Sequence, residues 1–151
     1  QPHRLRSRTR STTNYAGISR INRVQDSGSR PLTDYTRIFG ADHPDTHLAR
    51  ANLAGTYRHL GRHHDALLLE EQVLAARIRL LGDDHPETHR ARANLAATYN
   101  DLSRHNDALP LAEQVLAARV RLLGDDHPHT ARARAILATT HRFLGPPDPL
   151  T

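Results

Sequence analysis

His85-Pro86-Glu87-Thr88-His89 is preceded in this chain by His43-Pro44-Asp45-Thr46-His47 and followed by His127-Pro128-His129-Thr130. From 43 to 85 and from 85 to 127 the step is 42 residues both times. A fixed period of about 20 to 50 residues marks an array of stacked units, none of which can bury its apolar face alone. Residues 43–82 and 85–124 differ at only ten of forty positions, so duplication is the simplest origin.

Each unit opens with a proline, whose missing N–H costs nothing at the first position of a helix. Apolar or small residues then recur at Ala49, Leu53, Ala54, Tyr57 and Leu60, and again at Ala91, Leu95, Ala96, Tyr99 and Leu102. That rhythm predicts a helix A of about seventeen residues. Gly61-Arg62-His63 and Ser103-Arg104-His105 leave room only for a tight turn to an antiparallel neighbour. Helix B is expected from near His64 and Asn106 to Leu81 and Leu123, with Asn106 and Asp107 as cap and first-turn residues. Two apolar stripes run along it, Ala66, Leu69, Val73, Ala76 and Leu80 on one and Leu67, Leu74 and Leu81 on the other. A helix striped twice is buried on two sides, as stacked hairpins require. Arg77, Arg79, Arg119 and Arg121 are expected on a solvated outer face.

Outside the two complete units the pattern continues in part. Leu32, Arg37, Ile38, Phe39 and Gly40 stand 42 residues before Leu74, Arg79, Leu80, Leu81 and Gly82, which predicts the back half of a helix B. The third unit has a helix A from Pro128 to about Leu144, after which Gly145-Pro146-Pro147-Asp148-Pro149 stops any helix. The expected organisation is therefore a basic, disordered tail at 1–30, a helical array at 31–144 and a proline-rich tail at 145–151. Leu137, Ala138 and His141 lack a following helix B, so the uncapped terminal helix is expected to promote self-association.

Composition narrows the chemistry. The chain has no Cys, Met or Trp, only 4% aromatic residues, and 21 positive residues that are all Arg. Without Lys or Cys there is no Walker A lysine, Schiff-base lysine, cysteine nucleophile or cysteine metal site. Arg, Ala and His richness without Lys resembles the usage of a very GC-rich bacterial genome, which is a compositional hint and no more. Residues 1–30 carry seven Arg against Asp26, whereas residues 31–151 carry fourteen Arg against fifteen acids, so the net charge of +5 belongs to the tail. No apolar run is long enough for a signal-peptide core or a membrane span, which reads as a soluble, cytoplasmic chain.

Several sharper readings can be weighed against this background. His43 and His47, like His85 and His89, have the i, i+4 spacing of two zinc ligands on one helix. The first of each pair precedes the helix-starting proline, and no third ligand recurs, so no metal or other cofactor is expected. His63-His64-Asp65 has the residue types of a base and its orienting carboxylate, but the next unit has Asn106 for His64 and no nucleophile accompanies it, so no catalysis is expected. The basic tail could hold nucleic acid by counterion release. It offers only Tyr15 for stacking and no folded motif, so nucleic acid is set aside as a partner.

Leu53-Ala54, Tyr57, Gly61, Ala66 and Leu69, repeated as Leu95-Ala96, Tyr99, Ser103, Ala108 and Leu111, resemble the tetratricopeptide repeat (TPR). The 42-residue period and the Leu-Gly-Asp-Asp-His-Pro linker are similar to the long subtype of kinesin light chains and many bacterial regulatory proteins. The chain departs from that pattern at Glu70 and Ala112, where a large apolar residue is usual, and at Val73 and Val115, where a small one is usual. The resemblance implies an all-α fold of antiparallel hairpins stacked as a right-handed superhelix, or α-solenoid, without catalysis of its own. It further implies a concave groove for a peptide or protein partner, lined by Asn52, Gly55, Arg58 and His59, then Arg90, Asn94, Ala97 and Asn100, then Arg132, Ile136, Thr139 and Arg142. Asn52 and Asn94 each offer a donor and an acceptor to a peptide backbone, and Ile136 ends that ladder after two units. An interaction scaffold is the favoured expectation. The alternative is a structural or sensor segment of a larger bacterial regulatory NTPase whose nucleotide-binding domain lies outside this chain.

Overall fold

A computed structural model describes residues 30–145. The expected disordered tail at 1–30, except for Arg30, and all of the C-terminal tail beyond Gly145 lie outside the described residues. Among the described residues the regular elements are six helices: α1 Arg30–Phe39, α2 Pro44–His59, α3 His63–Leu81, α4 Pro86–Asp101, α5 His105–Leu123 and α6 Pro128–Leu144. The chain divides into two compact units between Ala49 and Arg50, inside α2.

In the first unit α1 stops at Gly40, and the Thr46 hydroxyl donates to the Gly40 carbonyl at 2.7 Å. The backbone N–H of Asp45 donates to His43 Nδ1 at 3.1 Å, and Phe39 stacks on the His43 ring with centroids 4.8 Å apart. These contacts fix the start of α2 against the end of α1.

The second unit repeats the same joint twice, which explains the opening phrase residue by residue. Gly82 and Gly124 take φ of +89° and +85°, the left-handed region where a side chain clashes with the backbone. The Thr88 and Thr130 hydroxyls then close onto the Gly82 and Gly124 carbonyls at 2.7 and 2.8 Å, from side chains that are wholly buried. His85 and His127 are the N-caps, each ring Nδ1 accepting from the backbone N–H two residues on, at 3.1 Å. Histidine here does the work usually given to Ser or Asp. The Arg92 and Arg134 guanidiniums donate to the Asp83 and Asp125 carbonyls at 2.7 and 2.8 Å and pair with the same carboxylates.

Turns from helix A to helix B use a different device. Gly61 at φ +72° and Ser103 at φ +58° reverse the chain, and the next N–H, of Arg62 or Arg104, donates back to Tyr57 or Tyr99 at 2.8 Å. The same arginine lies over that tyrosine ring, at 4.6 or 4.7 Å, and pairs with Asp65 or Asp107 at 2.8 Å. The expected cap at Asn106 is thereby corrected. Helix B starts one residue earlier, its N-cap is Arg62 or Arg104 without a side-chain cap bond, and Asp107 serves the arginine instead.

Small side chains let the helices approach closely. α3 packs on α4, α4 on α5, α5 on α6, and α4 also meets α6. Ala93, Val115 and Ala133 form the centre of the α4–α5–α6 contact, flanked by Leu116 and Ile136. The apolar stripes of helix B hold at Ala66, Leu67, Val73 and Ala76 but fail at its end, where Leu80 and Leu81 are 50% and 45% exposed. On α6, Leu137 is half-buried, Ala138 and Leu144 are exposed, and Phe143 stacks on His105 with centroids 4.4 Å apart.

Candidate interaction groove

Some of the helix A residues expected to line a groove gather around two hollows in the second unit, and Gly55, Ile136 and Thr139 line neither. Arg58, His59, Ala97 and Arg132 come together around a hollow of about 280 Å³, joined there by Asp101. Arg90, Asn94 and Arg132 line a larger cavity of about 680 Å³ between the start of α4, the end of α5 and the start of α6. Asn52 and Arg142 are exposed and line neither.

Asn100 belongs to neither hollow. Its Nδ2 donates to Thr140 Oγ1 at 3.0 Å and to the Ile136 carbonyl at 3.3 Å, while its Oδ1 lies 3.0 Å from His105 Nδ1. The amide thus ties α4 to α6 and α5. Asn52 and Asn94 differ in this respect, since neither side-chain amide hydrogen-bonds to any described residue.

Arg58 reaches inward to Glu70, Nη1 to Oε1 at 3.6 Å. Glu70 is 5% exposed, and burial pushes its carboxyl above the usual carboxylate range against the pull of the Thr98 hydroxyl and the Arg58 guanidinium. In the next unit Ala112 stands at this place and Asn100 replaces Arg58, so a neutral amide–hydroxyl contact substitutes for the charged one.

The expectation of a solvated outer face fails for Arg77 and Arg119. Arg77 Nη1 donates to the Glu87 carbonyl at 3.1 Å and Nη2 meets the Glu87 carboxylate at 3.2 Å, with its side chain only 13% exposed. Arg119 is 8% exposed and donates to the His129 carbonyl at 2.9 Å. Both lie inward because the first turn of the next helix A stands over the last turns of helix B and offers a carbonyl at guanidinium reach. Burial lowers the pKa of each arginine. Arg79 and Arg121 are both exposed, as expected, and Arg121 pairs with Asp84 at 2.7 Å.

Arg119 was hidden from sequence reasoning because only the neighbouring repeat decides which way a long side chain folds. The exchange of Glu87 for His129 was the available signal.

The histidines weighed as ligands have other work. His89 is buried 3.5 Å from Asp84, and its pKa is lowered by burial and then by Arg92, which favours the neutral ring. His63 faces Asp101 at 3.5 Å and Asp65 faces Arg62, so His63-His64-Asp65 forms no aligned relay. Among the described residues no three His, Asp or Glu side chains converge as a metal would need. No described helix is long and apolar enough to cross a membrane.

The family model of the tetratricopeptide repeat matches residues 48–87 and 90–129, more than half of the chain. Among solved structures, the kinesin light chain nearly identical TPR-like repeats of Podosopora anserina superpose with a TM-score of 0.66 at 24% identity, over 87% of this chain and 62% of that one. BtubC (BKLC) from P. vanneervenii superposes with a TM-score of 0.70 at 19% identity, over 84% of this chain and 51% of that one. This chain spans less than two thirds of either. At these identities the likeness speaks for the fold, an all-α helical repeat. A comparison with curated proteins finds no match.

Proposed function

We propose, from the premise that this chain belongs to the tetratricopeptide repeat family, that it is an interaction scaffold whose helix A residues hold an extended peptide segment of a partner protein. Repeats of this family mediate protein–protein interaction. The observation that carries the finer reading is the pair of unused amides at Asn52 and Asn94, 42 residues apart on successive A helices. A polar group that finds no partner within the fold is available to one outside it. An amide can donate to and accept from a peptide backbone at once, which gives affinity independent of the peptide's side chains. Arg58, His59, Arg90, Arg132 and Arg142 then supply selectivity through charge, while Asn100 keeps α4, α5 and α6 in register.

The test is selection of binders from a displayed random-peptide library on the full chain, followed by the Asn52→Ala/Asn94→Ala variant. Two lost hydrogen-bonding grips of about 0.5 to 1.5 kcal/mol each should weaken a selected peptide roughly 5- to 150-fold without altering the helical signal. An unchanged dissociation constant would move the binding surface to another face.

A further inference from the structure

The two helix joints of the second unit carry the same side-chain cluster in two chemistries. Around the α4–α5–α6 joint stand Asn100, His105, Ala112, Thr140 and Phe143. Forty-two residues earlier, around the α2–α3–α4 joint, the same places hold Arg58, His63, Glu70, Thr98 and Asp101. Arg58/Asn100 and Glu70/Ala112 are two of only ten differences between residues 43–82 and 85–124, so an ion pair stands in one repeat where an amide and a methyl stand in the other.

The neutral cluster is complete. Asn100 Nδ2 donates to Thr140 Oγ1 at 3.0 Å, Asn100 Oδ1 lies 3.0 Å from His105 Nδ1, and the other face of the cluster is the stack of His105 on Phe143. The charged cluster is not complete. Arg58 Nη1 stops 3.6 Å from Glu70 Oε1, too far for a hydrogen bond, and His63 Nδ1 stands 3.5 Å from Asp101 Oδ2. The wholly buried Thr98 hydroxyl is close enough to act on the Glu70 carboxyl without meeting it in hydrogen-bond geometry. Of the six buried side-chain polar atoms without a hydrogen bond among the described residues, four belong to this cluster: Arg58 Nη1, His63 Nδ1, Glu70 Oε2 and Thr98 Oγ1. Buried polar atoms are normally paired, and four orphans in one cluster point to a shared partner.

We propose that this cluster binds a water molecule, which joins Arg58 Nη1, His63 Nδ1, Glu70 Oε2 and Thr98 Oγ1 across three helices and takes the part that the Asn100 amide plays one repeat later. A guanidinium only donates and a carboxylate only accepts, whereas a hydroxyl or an imidazole nitrogen does either, and a water with two hydrogens and two lone pairs matches that set. A cation would be repelled by Arg58 and an anion by Glu70. Water can also reverse its hydrogens, so it serves Glu70 protonated or ionised, with Arg58 facing that carboxyl from α2, His63 from α3 and Asp101 from α4. It enters from the hollow of about 280 Å³, which Arg58 and Asp101 also line. Tied in this way, Arg58 is fixed on the wall of that hollow as Asn100 is fixed at the next joint.

The test is nuclear Overhauser transfer from water to the threonine γ-methyl groups of the full chain. Thr140 is a control within the same molecule, since its hydroxyl is equally buried but already donates to Asn100. Transfer with the sign of a water that outlasts molecular tumbling is expected at Thr98 and not at Thr140. Arg58→Asn/Glu70→Ala, which copies the neutral cluster, should abolish the Thr98 transfer and leave the helical signal intact. Transfer at neither threonine, equal transfer at both, or transfer at Thr98 that survives in the folded double variant would overturn the proposal. Should that variant fail to fold, the comparison of the two threonines in the parent chain decides alone.

Discussion

Single residues in this chain carry backbone strain and buried charge that the two repeats treat differently, and the differences can be measured. Gly61 and Ser103 hold the same turn at φ +72° and +58°, so the serine bears a left-handed cost that the glycine avoids. Ser103→Gly should stabilise the protein by about 0.5 to 1 kcal/mol in denaturant unfolding, whereas Gly124→Ala, at φ +85°, should cost about 1 to 2 kcal/mol although open space surrounds it. Equal midpoints for both variants would contradict this. At Glu70 the sign is set by burial: the folded carboxyl holds its proton more tightly than the unfolded one, so its contribution is greatest in acid and is lost as pH rises through the raised folded pKa. Glu70→Gln, which cannot ionise, should gain stability relative to the parent as pH rises from about 4 to 8. A difference in melting temperature that does not vary with pH would contradict the burial account. Tyr99 is a second reporter. Its hydroxyl donates to Glu71 at 2.9 Å, and burial, then that bond, push its pKa up to about 12.

Elements were the most legible scale. The proline starts, the glycine stops and the 3.6-residue rhythm placed all five helices from α2 to α6 within a residue or two, because those signals act on local backbone. The helix joints were less legible. His85 and His127 as N-caps, and Thr88 and Thr130 as the bolts onto the preceding glycine carbonyls, use residue types whose role depends on a turn that must form first. Thr88→Val keeps the shape but leaves the Gly82 carbonyl without its hydroxyl donor, and should cost about 1 to 3 kcal/mol in chemical denaturation. A neutral effect would mean that this bond does not secure the joint.

Across the whole molecule, the period and the repeated motif identified the family and the fold class, and the resemblance, not the period, suggested a groove on the A helices. It could not say which groove residues are committed to the fold. Asn100 matches Asn52 and Asn94 in chemistry, yet it is spent on Thr140 and Ile136 because α6 stands within reach of its amide. Arg119 reads like any surface arginine until the next repeat covers it. Side chains that bridge repeats therefore decide how much of a repeating surface is free to bind. In the second unit the side-chain amides of Asn52 and Asn94 are spent on no described residue.

Hydrogen–deuterium exchange of the full chain, with and without the tightest library-selected peptide, measures this most directly. An occupied groove predicts slowed exchange along α4 and α6 and in the C-terminal half of α2, with α3 and α5 little changed. Protection concentrated on the outward faces of α3 and α5, with α2, α4 and α6 unaltered, would contradict it.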